Sequence, residues 1–390
     1  MTAVIAPGPT RRPLRDLERP SHLFANLGPN WFATIVGTGM VANAGAGLPV
    51  GFPGLRTAAT VVWAFAAVVL VLLGGAWAVH WTRHRETARS HAHDPVMAQF
   101  WGAPPMALTT VGTGTLLLGR DWIGLGPALA VDWTLWCAGT VLGLITTVWI
   151  PYRMMTTHDI TSESPFGAWL MPVVPPVVSA AGGALLIPYL PDGQLRLTVL
   201  LACCAMFGTS LVTTLVILPQ IWQRFVRHKT GPAAALPTIW ILLGPPGLSI
   251  TAATLLGDVL PAPYDRAGPV IGLLLGVPAW GFAMTWLALA TALTVRATRR
   301  GLPFSLTWWS FTFPLGALVT GTNALATRTH SVLFTATSVG LFALLVTAWL
   351  VVAIRTALGG YRGHLFRAPA GGARQPVAAT TSDSSPVLRS

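Results

Sequence analysis

Charged side chains are scarce in this chain: they make up 9% of its 390 residues, against about a quarter in an average soluble domain. Apolar residues reach 53%, and the mean hydropathy is +0.62. A water-soluble surface needs many more charged groups than this. The composition therefore excludes a soluble globular protein and places the chain in a lipid bilayer.

The groups that most enzymes and metal sites need are also lacking. The three cysteines all lie within apolar stretches and have no disulfide or zinc spacing. No paired acidic clusters of the kind that hold Mg²⁺ in diphosphate-handling enzymes occur, so we expect neither catalysis nor a cofactor. His84, His91, His93 and Asp94 are close in sequence, but they fall between apolar stretches. We interpret them as part of a solvated loop and expect no metal site.

Ionisable residues are absent from the middle of every long apolar stretch. Asp132 and Asp258 fall toward the outer ends of such stretches, and His80 falls near an inner end. Proton-coupled carriers usually keep a buried ionisable residue within the membrane. Its absence argues against a carboxylate relay and favours a neutral pore.

What remains is a series of apolar stretches long enough to cross a bilayer, whose core of about 30 Å needs roughly 20 helical residues. Runs such as 68–75 lack the period-two alternation of strands. The sequence predicts an all-α integral membrane fold, with a transmembrane domain over 23–357 and flexible cytoplasmic tails at 1–22 and 358–390. The ten predicted spans are 30–48, 57–81, 103–119, 124–150, 166–188, 196–222, 236–257, 268–294, 304–324 and 331–354.

The basic residues predict the orientation. In the ten-span topology, 19 of the 24 lysines and arginines fall on the side that holds both termini. Because positive charge accumulates in cytoplasmic loops, we expect both termini in the cytoplasm and the protein in the cytoplasmic membrane. Residues 1–28 contain no apolar segment of a secretory signal. The net charge of +12 is then a topological signal beside the membrane, and nucleic acid is not an expected partner.

The odd-numbered spans differ from the even-numbered ones, because Gly, Pro, Ser and Thr interrupt them near the middle. A broken helix inside a bilayer must face protein or a watery cavity, and its freed N–H groups suit an anion. We therefore predict five tandem hairpins around a central pore, with odd helices lining it; alternatively, the small residues merely allow close packing. The predicted break positions are Gly37, Gly39, Gly112, Gly114, Pro172, Pro175, Pro176, Gly244, Pro245, Pro246, Gly247 and Pro314, and the pore-lining candidates are Thr38, Thr113, Ser179, Ser249 and Thr320.

Phe313 precedes the proline near the centre of the ninth predicted span. A phenylalanine in an apolar helix ordinarily contributes to packing. A bulky ring at the midpoint of a pore-lining helix can instead close the path by excluding water. Both interpretations stay open at this point.

Four motifs on odd-numbered spans carry a family resemblance. They are PNWFA at 29–33 followed by GTG at 37–39, WLMPVVPP at 169–176, LGPPG at 243–247 and WWSFTFP at 308–314. With them the chain resembles the tellurite-resistance/dicarboxylate transporter family, whose fold the plant slow-type anion channels share. The resemblance extends over about residues 22–357.

The resemblance implies five tandem hairpins around a pore, and assembly as a homotrimer with one pore per subunit. It implies that Phe313 occupies the position of the phenylalanine that blocks the pore in channel-like members. It also implies small anions as substrates, among them malate and other C4-dicarboxylates, sulfite, chloride and nitrate. The leading hypothesis is an anion transporter or channel of the cytoplasmic membrane whose access Phe313 controls.

Two alternatives remain at the sequence level. The first is a C4-dicarboxylate or sulfite carrier coupled to a gradient. The second, from a different class, is a membrane resistance protein that acts without flux. The residues do not identify the anion or the direction of transport.

Overall fold

A computed structural model describes residues 14–17 and 23–367, and within these ranges the chain is helical and contains no strand. Most of the two predicted tails lies outside the described residues. The start of the C-terminal tail is an exception, because its first residues continue a long helix to Arg362 and then form the short 3-10 helix His364–Phe366. The part of the tail after 367 stays a prediction.

Long and short helices alternate along the chain. The long helices contain 29 to 35 residues, whereas five of the short ones contain 12 to 17. In chain order the α-helices are α1 (Ala33–Ala46), α2 (Leu55–Arg83), α3 (Arg85–His93), α4 (Ala103–Gly114), α5 (Arg120–Ile123), α6 (Leu125–Thr156), α7 (Pro175–Leu186), α8 (Gln194–His228), α9 (Gly244–Asp258), α10 (Gly268–Thr298), α11 (Phe313–Thr329) and α12 (Val332–Arg362).

Each of the short helices α1, α4, α7, α9 and α11 follows directly on a 3-10 segment or is separated from it by one residue. Prolines explain the change of helix type in four of these helices. They lie in the first turn and are Pro104 in α4, Pro175 in α7, Pro245 in α9 and Pro314 in α11. Proline is tolerated there because the first N–H groups of a helix have no intrahelical partner, but its ring disfavours helix in the residue before it. The five 3-10 segments are Pro29–Phe32, Met97–Gly102, Gly167–Val173, Ala233–Leu243 and Leu306–Phe311.

Three of the four glycines in the two GTG motifs do not break their helices. Helix α1 continues through Gly37 and Gly39, and α4 continues through Gly112. Glycine keeps its backbone N–H, so it does not force an interruption as proline does. A Cβ atom on Gly39 would lie 2.7 Å from Thr110 Cγ2, which is too close, so the close-packing interpretation applies there. The predicted breaks at Gly37, Gly39 and Gly112 are corrected, whereas α4 does end at Gly114, where the π-helix Thr115–Gly119 follows.

The short helices form a closed ring. In order around the ring, α1 contacts α4, α4 contacts α7, α7 contacts α9, and α9 contacts α11. Helix α11 in turn contacts α1, which closes the ring. Each long helix packs against the short helix before it and also against the next one around the ring, with α12 returning to α1. The short helices are largely buried, whereas α2, α6, α8, α10 and α12 expose apolar side chains outward. The ring is therefore the interior of the molecule.

Six helices of the described chain are long and apolar enough to cross a membrane, or seven if the bent pair Gly167–Val173 and Pro175–Tyr189 is one span. The chain is thus a multi-span membrane protein. The predicted ten spans exceed this number because α1, α4 and α11, with 14, 12 and 17 residues, are each shorter than a spanning helix. The six are Leu55–Arg83, Leu125–Thr156, Gln194–His228, Ala233–Asp258, Gly268–Thr298 and Val332–Arg362.

Close packing within the ring predicts opposite effects for two helical glycines. A Cβ atom on Gly247 of α9 would lie 2.5 Å from the backbone carbon of Ala317 in α11, whereas Gly281 of α10 has open space around it. Gly247→Ala should lower the free energy of unfolding by about 1–3 kcal/mol through overpacking. Gly281→Ala should leave it unchanged or raise it by up to about 1 kcal/mol, because alanine favours helix. Thermal unfolding of both variants in detergent measures this, and equal midpoints would contradict the tight α9–α11 contact.

Candidate functional site

A cavity of about 590 Å³ lies inside the ring, and all five short helices contribute to its wall. Its lining residues recur at helical spacing, as with Thr320, Asn323 and Thr327 on α11 and Leu248, Thr251 and Leu255 on α9. This spacing places them on the inward stripe of each helix. The cavity occupies the half of the ring in which the short helices end.

The cavity wall combines polar and apolar side chains and is nearly neutral. Hydroxyl and amide groups of threonine and asparagine alternate with Leu, Val, Ala and Gly along it. Among the described residues that line it, the ionisable ones are Asp258, Arg328 and His330, which lie where α9 and α11 end. Asp258 and Arg328 form an ion pair with each other. Such a wall offers hydrogen-bond donors to a small solute, and the wall itself carries no unpaired negative charge.

Two asparagines in this wall also connect α1 to its two neighbours in the ring through hydrogen bonds. Asn43 Nδ2 donates to the carbonyl of Thr110 in α4 at 3.1 Å, and Asn323 Nδ2 of α11 donates to the carbonyl of Ala44 at 3.0 Å. Asn323 Oδ1 accepts a hydrogen bond from Ser338 of α12. Sequence reasoning missed both residues, although an amide in an apolar helix is a usable signal because its burial is costly without partners.

Two of the predicted pore-lining residues line the cavity. Thr113 of α4 and Thr320 of α11 are half-buried in its wall. The hydroxyl of Thr320 lies 3.2 Å from that of Thr251 on α9. The structure thus brings these two predicted side chains into one space.

The other three candidates are not among the lining residues. The hydroxyl of Thr38 donates to the carbonyl of Thr34 at 2.7 Å and accepts from Trp349 Nε1 of α12 at 3.1 Å, so it faces the outer layer. Ser179 is buried and its hydroxyl has no partner in the described part of the chain. Ser249 is half-buried on α9 outside the cavity wall.

Phe313 lies at a constriction in the other half of the ring. A second cavity there measures about 10 Å³, which is no more than one water molecule needs. The Phe313 side chain is buried, and a Cβ atom on Gly244 would lie 3.5 Å from its ring. At 1.5 Å per residue, Phe313 is about 10 Å along α11 from Thr320. We call each 3-10 segment together with the short helix after it a short unit, and all five short units contribute to this constriction. The residues that line it are Ala33, Val36, Phe100, Met171, Ile241, Leu306, Trp309, Ser310, Phe313 and Pro314.

The histidine-rich stretch is a helix and not the predicted loop. His91 and His93 lie in α3, and Asp94 Oδ1 accepts hydrogen bonds from the backbone N–H groups of Val96 and Met97. Burial lowers the pKa of His91 to about 4, so this residue is neutral at physiological pH. Residues 14–17 and 23–367 contain no group of three or more His, Cys, Asp or Glu side chains that would hold a metal ion.

Asp132 is more deeply buried than the sequence suggests. It lies in the second turn of α6, is 1% exposed, and directs Oδ1 toward Gly112 of α4, where a Cβ atom would lie 2.5 Å away. Its Oδ2 atom has no hydrogen-bond partner, and no basic side chain of the described residues pairs with it. Gly112 is adjacent to Thr113, so this carboxyl group is one layer behind the cavity wall.

A ring of short helices around a nearly neutral cavity can be compared with known protein families. The profile of one family, described as voltage-dependent anion channel (SLAC1), matches residues 26–357. The chain belongs to this family. The resemblance found from the four motifs is thereby confirmed, and the family is one of channels and transporters rather than enzymes.

Three relatives illustrate the range of the family. The chain is 28% identical to the sulfite efflux pump SSU1 of Arthroderma otae, over 88% of this chain and 93% of the relative. It is 26% identical to a transporter of Methanocaldococcus jannaschii, over 91% and 99% of the two chains. It is 21% identical to the malic acid transport protein of Schizosaccharomyces pombe, over 73% and 67%. The membrane-transport character of the family agrees with the apolar helices of this chain.

The hydrogen bonds of Asn323 predict a measurable coupling between α11 and α12. Asn323→Leu leaves the Ser338 hydroxyl buried without its acceptor and should lower the free energy of unfolding by about 1–3 kcal/mol. Adding Ser338→Ala removes the orphaned hydroxyl, so the double variant should lose less stability than the two single losses added together. A double-mutant cycle of thermal unfolding in detergent measures the coupling. Strict additivity would mean that this hydrogen bond contributes nothing.

Proposed function

We propose that this protein moves small anions across the cytoplasmic membrane along the axis of the ring, and that Phe313 closes the path. One observation carries the proposal: the wide cavity and the constriction are each lined by all five short units. A solute that travels inside the ring would therefore meet both. The wide part contains polar side chains among apolar ones, whereas the narrow part is almost entirely apolar, as expected for a pore that closes by excluding water.

The direction of the helices supports an anion as the solute. Helices α7, α9 and α11 begin at Pro175, Gly244 and Phe313, close to the constriction. Helix N-termini carry partial positive charge and unpaired N–H groups, which stabilise an anion nearby. The one carboxylate in the wall of the wide cavity, Asp258, is neutralised by Arg328.

The proposal includes a topology. In it each 3-10 segment and the short helix after it cross the membrane together, which gives ten spans in five tandem hairpins. Both termini lie in the cytoplasm, in keeping with the distribution of basic residues. By resemblance to the family, three copies assemble as a homotrimer in contact with membrane lipid, and each copy has its own pore.

The proposed substrates are those of the related proteins. Sulfite and malate appear in the names of two relatives, and the family description refers to anion channels. We propose sulfite, C4-dicarboxylates such as malate, and inorganic anions as the substrate class. The threonine and asparagine side chains of the wall offer hydrogen bonds to oxygen atoms of each of these anions.

Removal of the Phe313 ring should increase anion conductance several-fold. Alanine at this position leaves room for water and a hydrated ion in the constriction. The measurement is anion flux into liposomes under a membrane potential without a pH gradient, with chloride, nitrate, sulfite and malate tested in turn. Phe311→Ala is the matched control, since Phe311 is also buried but packs on Trp240 and Trp308 outside the constriction.

Equal flux through wild type and Phe313→Ala would contradict the gate and return Phe313 to a packing role. An increase in both variants would indicate a general loss of packing. Thr251→Trp, which places an indole ring in the wall of the wide cavity, should abolish flux. A resistance phenotype that persists in this blocked variant would instead favour a role without flux.

A gradient-coupled carrier is the second candidate, and Asp132 is the observation that favours it. A carboxyl group with an unpaired oxygen, buried between α6 and α4, is a group that can bind and release a proton during transport. Its position behind Thr113 would let protonation alter the cavity wall. In this case malate or sulfite uptake would depend on a pH gradient.

Asp132→Asn separates the two candidates, because asparagine has the same size but cannot carry a proton. If transport is coupled, uptake of malate or sulfite driven by a pH gradient should fall at least several-fold, while uptake driven by a substrate gradient alone should persist. Asp121→Asn is the control, since Asp121 is exposed and paired with Arg56. Unchanged uptake in Asp132→Asn would exclude this carboxyl group from coupling and leave a passive pore.

A further inference from the structure

A second large cavity lies outside the ring, in the cleft between two long helices. It measures about 450 Å³ and lies between the C-terminal parts of α8 and α10. The floor is formed by the 3-10 segment Ala233–Leu243, whose Leu236 and Ile239 side chains are buried. This size is typical of a small-molecule site. The cavity does not share a lining residue with either cavity of the proposed pore.

The cleft changes in polarity along its length. On α10, Trp286, Leu289 and Leu293 are followed by Arg296, and Arg300 lies in the turn directly after this helix. The same order occurs on α8, where Trp222, Phe225 and Val226 precede Lys229, the residue directly after the helix. The three cations therefore lie together at one end of the cleft, and aromatic and aliphatic side chains form the rest.

The three cations have no acidic partner. No ion pair of Lys229, Arg296 or Arg300 occurs among the described residues, and no Asp or Glu lines the cleft. All three are exposed, and the Lys229 ammonium donates to the carbonyl of Val226 at 3.3 Å. The basic end thus carries uncompensated positive charge.

Lys229 is held in this place by an unusual backbone conformation. Its φ angle is 62°, in the left-handed region that a non-glycine residue rarely adopts. The buried Arg224 holds this turn, since its Nη1 atom donates to the carbonyl of Lys229 at 3.1 Å. Gly231 also has a positive φ angle of 66°, which favours glycine, and the same guanidinium group lies against it.

We propose that this cleft binds an anionic phospholipid of the cytoplasmic leaflet. Basic pockets between membrane helices on the cytoplasmic side bind acidic lipid headgroups, and the apolar length of the cleft suits an acyl chain. Charge complementarity and the change in polarity favour a lipid over a free anion, which would use the basic end alone. The inference rests on the proposed orientation of the protein but not on anion flux, and its readout is binding.

The test compares lipids that share acyl chains and differ in charge. The purified protein in detergent is titrated with phosphatidylglycerol or phosphatidylcholine, and bound lipid is counted by native mass spectrometry. Wild type should bind phosphatidylglycerol more tightly. Arg296→Gln with Arg300→Gln should weaken this binding by about fivefold per arginine, because each basic residue near a membrane surface contributes about one such factor. The control pair Arg227→Gln with Arg299→Gln removes the same charge outside the cleft and should leave binding unchanged.

A variant of the apolar wall separates a lipid from a free phosphate. Leu289 is 37% exposed, so Leu289→Trp is compatible with folding and narrows the part of the cleft that would hold the acyl chain. It should weaken phosphatidylglycerol binding and spare the three cations. Inorganic phosphate that competes fully with the lipid, together with no effect of Leu289→Trp, would overturn the proposal in favour of a phosphate site.

Two other results would also overturn it. Equal binding of the two lipids would show that the cations do not select a charged headgroup. A change of oligomeric mass in the Arg296→Gln/Arg300→Gln variant, with lipid binding unaltered, would mean that a second copy of the chain occupies the cleft. Wild-type flux in liposomes of either lipid reports separately on the proposed function.

Discussion

The need to satisfy backbone polar groups away from water governs this structure. Lipid supplies no hydrogen bonds, so a helix that changes type within the membrane must be enclosed by protein or face a polar cavity. Five 3-10 to α transitions therefore require the outer layer of long helices. In return, the prolines at four of these transitions open an interior where neutral polar side chains can face a solute.

The long outer helices and the short ring helices have different roles. The outer helices face the lipid, and the ring helices line the cavity. Helices α2, α6, α8, α10 and α12 run as single long α-helices, even where α6, α8 and α10 contain a proline, and they expose apolar side chains. The ring helices are short and buried, and they carry the threonine and asparagine side chains. Because each long helix contacts two neighbouring short ones, it fixes the spacing of the ring as well as shielding it.

The proline positions could be predicted from sequence because proline acts through its own covalent geometry. Pro175, Pro245 and Pro314 do lie in the first turns of short helices. The breaks predicted at Gly37, Gly39 and Gly112 were wrong, since glycine permits a break but does not require one. Thr113 and Thr320 line the cavity and Thr38 does not, because the inward stripe depends on tertiary contacts that one sequence does not reveal.

Burial of single polar residues was equally hard to predict. Asp132 lies close enough to the end of its helix to suggest solvent, yet α4 covers it through the missing side chain of Gly112. Asn43 and Asn323 are inconspicuous in sequence, and their importance comes from partners on other helices. Family membership, by contrast, was accessible from four short motifs, and each of them spans a change from 3-10 helix to α-helix.

The closed ring has a consequence for how the protein is made. The seam between α11 and α1 joins residues 279 positions apart, through Asn323 and Ala44, and α12 covers it from outside. The ribosome delivers α11 and α12 last, so the first four pairs of short and long helices must remain until then as an open arc. During that interval Thr113 of α4 and Thr251 of α9 have no closed cavity to face. The ring therefore closes late, and a chain that stops before α11 cannot close it.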